Sequence, residues 1–173
     1  MLIVMAGLPG VGKSTLAQAL ARALRAALLP VDPVEAAMWR AGVDRGQPTG
    51  LAAYVVVEAM ASQQLALGST VIVDAVNDVD EARQQWVDLA RRHGLLPHFV
   101  EVVCSDAVTH RRRLEARRRN IEGFSEPTWE SVQHRARRQA PWWHDRLVLD
   151  SMRAVGHNLD LSLDHLRSGP DVS

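Results

Sequence analysis

Short apolar runs rich in β-branched residues alternate along the chain with longer segments whose apolar positions recur every three to four residues. This is the pattern of an α/β protein on a parallel sheet. Residues 2–6, 27–31, 70–73, 98–103 and 146–149 form the runs and predict five strands. Between the first two, Leu16, Leu20 and Leu24 stand four apart and give a helix one apolar stripe to lay on the sheet. Residues 51–67 read as a helix closed by Gly68, and residues 79–93 as another closed by Gly94. A helix over 105–119 has Ser105 as its cap, and one over 125–140 starts at Ser125 with Pro127 in its first turn. A last helix covers 158–166. No repeat, low-complexity block or linker divides the chain, so residues 1–168 read as one domain and residues 169–173 as a flexible tail.

None of the apolar runs approaches the roughly 18 residues needed to span a bilayer. The apolar start MLIVMAGLPG lacks the basic leading region of a signal peptide. One cysteine, Cys104, leaves no internal disulfide, so the expectation is a protein of the reducing cytoplasm.

Composition adds two constraints. At 173 residues, 47% of them hydrophobic, the chain is long enough to bury a core, which excludes a disordered segment. Its 20 basic and 20 acidic side chains cancel, so no whole-molecule field draws it to nucleic acid or to an anionic membrane. The basic residues are unevenly chosen: Lys13 is the single lysine, and all the others are arginine.

Lys13 lies in Gly7-Leu8-Pro9-Gly10-Val11-Gly12-Lys13-Ser14, which fits G-x-x-x-x-G-K-[ST] and is followed by Thr15. Glycines let the backbone wind closely around phosphate oxygens, with successive N–H groups pointing inward at a helix N-terminus. The ammonium reaches the β- and γ-phosphates as a compact point charge, and the Ser14 hydroxyl completes the coordination of Mg2+. In a chain that otherwise uses arginine, a lysine here marks a place where a planar guanidinium does not fit.

Two acids complete the pattern. Asp32 follows the second run, at the carboxyl edge where open α/β sheets bind ligands, and also stands where it would cap a helix beginning at Pro33. Asp74 ends the run Val71-Ile72-Val73, as a metal-holding acid or as a turn residue. Residues 105–140 carry nine arginines against five acids. Arg113 and Arg117, four apart, share a helix face and are read as stabilising a phosphoryl group in transfer, from a lid whose two helices meet at the tip 120–124. The remaining arginines, Arg118 and Arg119 among them, read as solvated surface.

Taken together, the loop from Gly7 to Thr15, Asp32, Val71-Ile72-Val73-Asp74 with Asn77 and Arg83 beyond it, and Arg113-Leu114-Glu115-Ala116-Arg117 resemble the small P-loop kinases of the AAA_33 type. That group includes phage-type polynucleotide kinases, gluconate kinases, chloramphenicol phosphotransferase and zeta-toxin kinases, and the resemblance covers about residues 1–150. It implies a five-stranded parallel sheet of order 2-3-1-4-5, ATP phosphates on the glycine loop, and an arginine lid over about residues 111–128. It further implies Asp32 as the base for the acceptor hydroxyl, Arg117 on the phosphates and Arg113 on or near the nucleotide. Asn77 and Arg83 fall where the polynucleotide kinases have an Asn and an Arg near their substrate. No second acid follows Asp32 two residues on, so Mg2+ leans on Ser14 and Asp74.

The acceptor is expected beside Asp32, walled by residues 33–58, where Trp39 and Arg40 are candidate contacts, and by the loop after Asp74. The leading reading is a kinase using ATP and Mg2+ on a hydroxyl-bearing small molecule. A 5'-hydroxyl polynucleotide kinase is the second, with the arginine cluster as its only candidate track for a strand. A nucleotide-dependent switch is the third, although no guanine-reading Asn-Lys-x-Asp is present.

Overall fold

The computed structural model describes residues 1–117 and 126–168. In chain order the elements are β1 (Leu2–Ala6), α1 (Lys13–Leu24), β2 (Ala27–Pro30), α2 (Val31–Arg40), α3 (Thr49–Ala66) and β3 (Val71–Asp74). They continue with α4 (Asp80–Arg92), β4 (Pro97–Val103), α5 (Ala107–Ala116), α6 (Trp129–Arg137), β5 (Arg146–Asp150) and α7 (Val155–Ser168). All strand pairings are parallel and the order across the sheet is β2-β3-β1-β4-β5. The expected α/β class and strand order 2-3-1-4-5 are those observed.

The central strand explains why its sequence is apolar without alternation. All five residues of β1 are buried, because helices cover both faces of the sheet. Leu2 and Val4 point to one face, where they join Val71, Val73, Phe99, Val57 and Trp86 under α3 and α4. Ile3 and Met5 point to the other, with Ile72, Val100, Leu16, Leu20 and Leu166 under α1 and α7. The stripe read from Leu16, Leu20 and Leu24 is the face α1 lays on this second layer.

Several boundaries move for identifiable reasons. The second strand ends at Pro30, and Val31 already opens α2, a helix the periodicity did not mark. Pro33 is accommodated because it falls in the first turn of that helix, where backbone N–H groups have no intrahelical acceptor. Asp32 therefore sits inside the first turn rather than at the cap. The helix expected from Ser105 begins at Ala107, capped by Asp106, whose carboxylate accepts from the Thr109 N–H at 2.6 Å. It ends at Ala116, so Arg117 lies one residue beyond it in extended backbone instead of on a shared helix face with Arg113. The helix expected from Ser125 begins at Trp129, with Thr128 Oγ1 accepting from the Ser131 N–H. Arg118, Arg119, the lid tip 120–124 and Ser125 lie outside the described residues, as does the tail 169–173. No helix among the described residues is long and apolar enough to cross a membrane.

Candidate active site

The carboxyl ends of β1, β2, β3 and β5 converge on one cleft of about 380 Å3. The loop from Gly7 to Thr15 forms its floor, and backbone requirements account for the glycines. Gly7 has φ of 134°, and a Cβ there would stand 2.3 Å from the Val102 carbonyl oxygen of β4, so no side chain fits. Its N–H donates to the Val76 carbonyl at 3.0 Å. Gly12, at φ 98°, is the N-cap of α1 and supplies no side-chain acceptor. The first turn of α1 contains no acid, which leaves its N–H groups and positive dipole end facing the cleft.

Lys13 and Asp74 meet beneath this loop as a buried ion pair. Burial works against charge on Asp74, but attraction to Lys13, hydrogen bonds from Lys13 and Ser14, and the Arg117 guanidinium outweigh it. Its carboxyl is held below the ordinary carboxylate range.

Charge around the cleft is one-sided. Among the described residues lining it, Lys13, Arg113, Arg117 and Arg153 supply four cations and Asp32 the one carboxylate. In a chain of zero formal charge this concentration selects an anionic ligand. Arg113 is fixed from behind: its guanidinium donates to Ser151 Oγ at 2.8 Å and to the Ser151 carbonyl at 3.2 Å, tying α5 to the turn after β5. Arg117 pairs loosely with Glu126, N to O 3.9 Å, and reaches the same cleft.

Of the residues expected around the acceptor, Asp32 lines the cleft, and Trp39, Arg40, Asn77 and Arg83 stand outside its lining. Trp39 donates from Nε1 to Thr49 Oγ1 at 3.0 Å, and that hydroxyl donates to Glu35 at 2.8 Å, stitching α2 to α3. Arg40 is exposed in the last turn of α2. Asn77 and Arg83 are fully buried. Asn77, at φ 52°, donates from Nδ2 to the Met5 carbonyl at 2.7 Å and accepts from Trp86 Nε1 at 2.9 Å. Arg83 spends its donors on the carbonyls of Asn77, Asp78, Ala140 and Pro141. These two hold the loop after β3 and the segment after α6 in place, and so shape the site from behind.

Sequence reasoning missed Ser151, Arg153 and Asn158, which form the cleft wall after β5, and His110. The first three follow the fifth strand, so the carboxyl-edge rule that singled out Asp32 also points to them. His110 had no sequence signal. It is buried on α5 and its Nε2 lies 2.8 Å from the Pro9 carbonyl; a carbonyl only accepts, so that nitrogen carries the proton. The ring also stands edge-on to Trp129 at 5.1 Å, linking α6 through α5 to the phosphate loop.

Residues 2–141 match the AAA_33 family, described as an AAA domain. The chain belongs to the AAA_33 family. A comparison with curated proteins finds no match. Among solved structures, this AAA_33 protein is similar to a presumed kinase of Chloroflexus aurantiacus j-10-fl, with 24% identity over 98% of this chain and 97% of that one, at a TM-score of 0.76. It is also similar to a gluconokinase of Sinorhizobium meliloti 1021, with 18% identity over 96% and 91% at a TM-score of 0.67. A third similar structure is Chaetomium thermophilum Kti12 in complex with ADP-AlF3, with 20% identity over 95% and 98% at 0.68. At such identities the likeness is one of fold, and the fold is that of the small P-loop kinases.

Proposed function

We propose that this AAA_33 protein is an ATP-dependent kinase that transfers the γ-phosphoryl group of ATP to a hydroxyl of a small molecule. One observation carries the reading: Asp32, the single described carboxylate of the cleft, shares it with Lys13, Arg113 and Arg117. Asp74 lies beneath the loop against Lys13 and Ser14, where it suits a metal, so Asp32 is the acid on the lining of the cleft itself. A kinase needs one there, to take the proton from the attacking hydroxyl while the cations stabilise the charge of the phosphoryl group in flight. A volume of about 380 Å3 lies within the range of small-molecule sites, roughly 300 to 1,000 Å3.

The residues also fit a divalent cation. The Asp74 carboxylate is ionised, hydrogen-bonded by Ser14 and already matched to one cation, the Lys13 ammonium. Ser14 and Asp74 would hold Mg2+, which would neutralise phosphate charge when bound. Lys13 would then turn from Asp74 toward the phosphates, and the backbone N–H groups of the loop would orient them. Asp32 accepts the hydroxyl proton, and Arg117 and Arg113 close the cationic side.

The test is a panel with labelled ATP and Mg2+, offering sugars, aminocyclitol and phenylpropanoid antibiotics, and an oligonucleotide with a free 5'-hydroxyl. Transfer of label to a small alcohol is the expected result. Label appearing only on the oligonucleotide would replace this reading with a polynucleotide kinase. Phosphate released at an unchanged rate with every acceptor and with none would replace it with a nucleotide-dependent switch.

A further inference from the structure

Helix α3 carries two apolar faces, and only one of them has a partner within the chain. Its buried stripe, Thr49, Ala53, Val57, Ala61 and Leu65, packs inward. The opposite side presents Leu51, Val55, Val56 and Met60, which are 65, 55, 42 and 43% exposed, and Leu67 just past the helix end at 78%. Between them stand Ala52, Ala59, Gln63 and Ala66. At about 100° per residue these positions fill one half of the helix circumference, which also holds Ser62 and carries no charged side chain, with Glu58 at its edge paired to Arg92. A surface helix ordinarily turns one apolar stripe to the core and polar residues to the solvent, so a second apolar face calls for cover.

We propose that this face is the interface of a homodimer in which two α3 helices pack antiparallel across a two-fold axis near Ala59. The exposed apolar side chains form a face on the order of 500 Å2, at the upper end of what a monomer leaves in one patch. That is enough for the apolar centre of a standard interface of roughly 800 Å2 per partner. A two-fold contact must be complementary to itself, and an uncharged strip meets its own copy without like-charge repulsion. An ionic partner would find nothing on it to pair with. Antiparallel packing also opposes the two helix dipoles. Ala52, Ala59 and Ala66 recur every seventh residue, one line of small side chains along which two helices approach closely, and an axis at Ala59 sets Ala52 against Ala66 of the second copy. The helix itself carries no Lys or Arg, the residues a helix lying on a membrane surface uses. The inference stands apart from the kinase reading.

Sedimentation equilibrium of the full chain over a range of micromolar concentrations tests it. The expected result is a reversible dimer. Val55→Arg places a cation beside the axis and is expected to weaken association by about tenfold or more, with a melting curve unchanged at concentrations low enough to keep both proteins monomeric, since Val55 faces outward. Ala59→Cys, made with Cys104→Ser to remove the native thiol, is expected to give a disulfide-linked dimer under glutathione oxidation, and carries the test should Val55→Arg fail to fold. A chain that stays monomeric at every concentration, a dimer indifferent to Val55→Arg, or an Ala59→Cys protein that never crosslinks would overturn the proposal. So would a monomer that binds phosphatidylcholine vesicles through this face, which would make lipid the occupant.

Discussion

The ammonium of Lys13 closes on the carboxylate of Asp74 beneath the phosphate loop, and both side chains are almost out of the solvent. Each is therefore the other's main compensation for lost hydration. Breaking one side of such a pair strands a buried charge and costs about 3–5 kcal/mol, whereas replacing both sides is much milder. Lys13→Met is expected to lower the urea midpoint strongly, and Lys13→Met with Asp74→Asn to recover most of the loss. Both proteins should lack phosphoryl transfer, so stability and activity separate. Additive losses in the double variant would mean that the pair is not coupled.

The same pair fixes a pH dependence. The carboxyl of Asp74 titrates below its usual range in the folded protein, because Lys13, Ser14 and Arg117 outweigh the effect of burial. In the unfolded chain it titrates near the ordinary aspartate value of about 3.9. Its contribution is thus complete above that value and disappears as the pH falls through the lower, folded one. Urea midpoints measured from neutral pH into the acid range should fall more steeply for the wild type than for Asp74→Asn below about pH 4. Equal slopes would remove Asp74 from the acid limb.

How much of this was legible in the sequence differs from element to element. Strands β1, β3 and β4 are buried almost throughout, and an apolar run bounded by turn residues announces such a strand wherever it sits; the edge strands β2 and β5 are more exposed but keep the same apolar runs. The phosphate loop was legible because its chemistry resides in residue type and spacing, and a Cβ at Gly7 has nowhere to go. Helix α2 was not, because Pro33 in its first turn looks like a break when the turn's position is unknown. For Asn77 and Arg83 the sequence left the role open for a general reason: a polar residue near a site is the same letter whether it touches a ligand or holds four backbone carbonyls, as Arg83 does. His110 was invisible because its work depends on the Pro9 carbonyl, about a hundred residues away in the chain and 2.8 Å away in space.

Asp32 lies at the start of α2 with the cationic side of the cleft opposite, and its proposed role as base gives it a narrow kinetic signature. Asp32→Asn keeps the shape and removes the proton acceptor. Transfer to the acceptor is expected to drop by about 10²- to 10⁴-fold, while nucleotide affinity measured by calorimetry stays within about threefold of wild type. Unchanged transfer would move the base elsewhere in the cleft.

The two cleft arginines are held differently, and that should divide their effects. Arg113 is locked by two hydrogen bonds to Ser151, so it presents the same charge whether substrate is in its ground state or in transfer. Such uniform binding lowers KM without raising kcat. Arg117 stands past the end of α5 in extended backbone and reaches the cleft from there, placed to tighten on charge as it develops. Arg113→Ala is expected mainly to raise the KM for ATP, by about tenfold, and Arg117→Ala mainly to lower kcat, by about 10³-fold. The reverse split would exchange their assignments.

Gly7 and Gly42 both adopt positive φ, at 134° and 92°, yet a methyl group would meet very different surroundings. At Gly42 nothing lies within 4 Å of an added Cβ, so Gly42→Ala should cost only backbone strain, about 1–3 kcal/mol, and leave nucleotide affinity intact. At Gly7 the added carbon stands 2.3 Å from the Val102 carbonyl oxygen, which belongs to the central sheet and has no room to retreat. Relieving that clash means parting β1 from β4 or displacing the loop, so overpacking of about 1–3 kcal/mol or more adds to the strain. Gly7→Ala should therefore show the lower melting temperature of the two and lose nucleotide binding even at temperatures where it remains folded. Nucleotide affinity preserved in a folded Gly7→Ala protein would show that the loop does not hold phosphate in the conformation described.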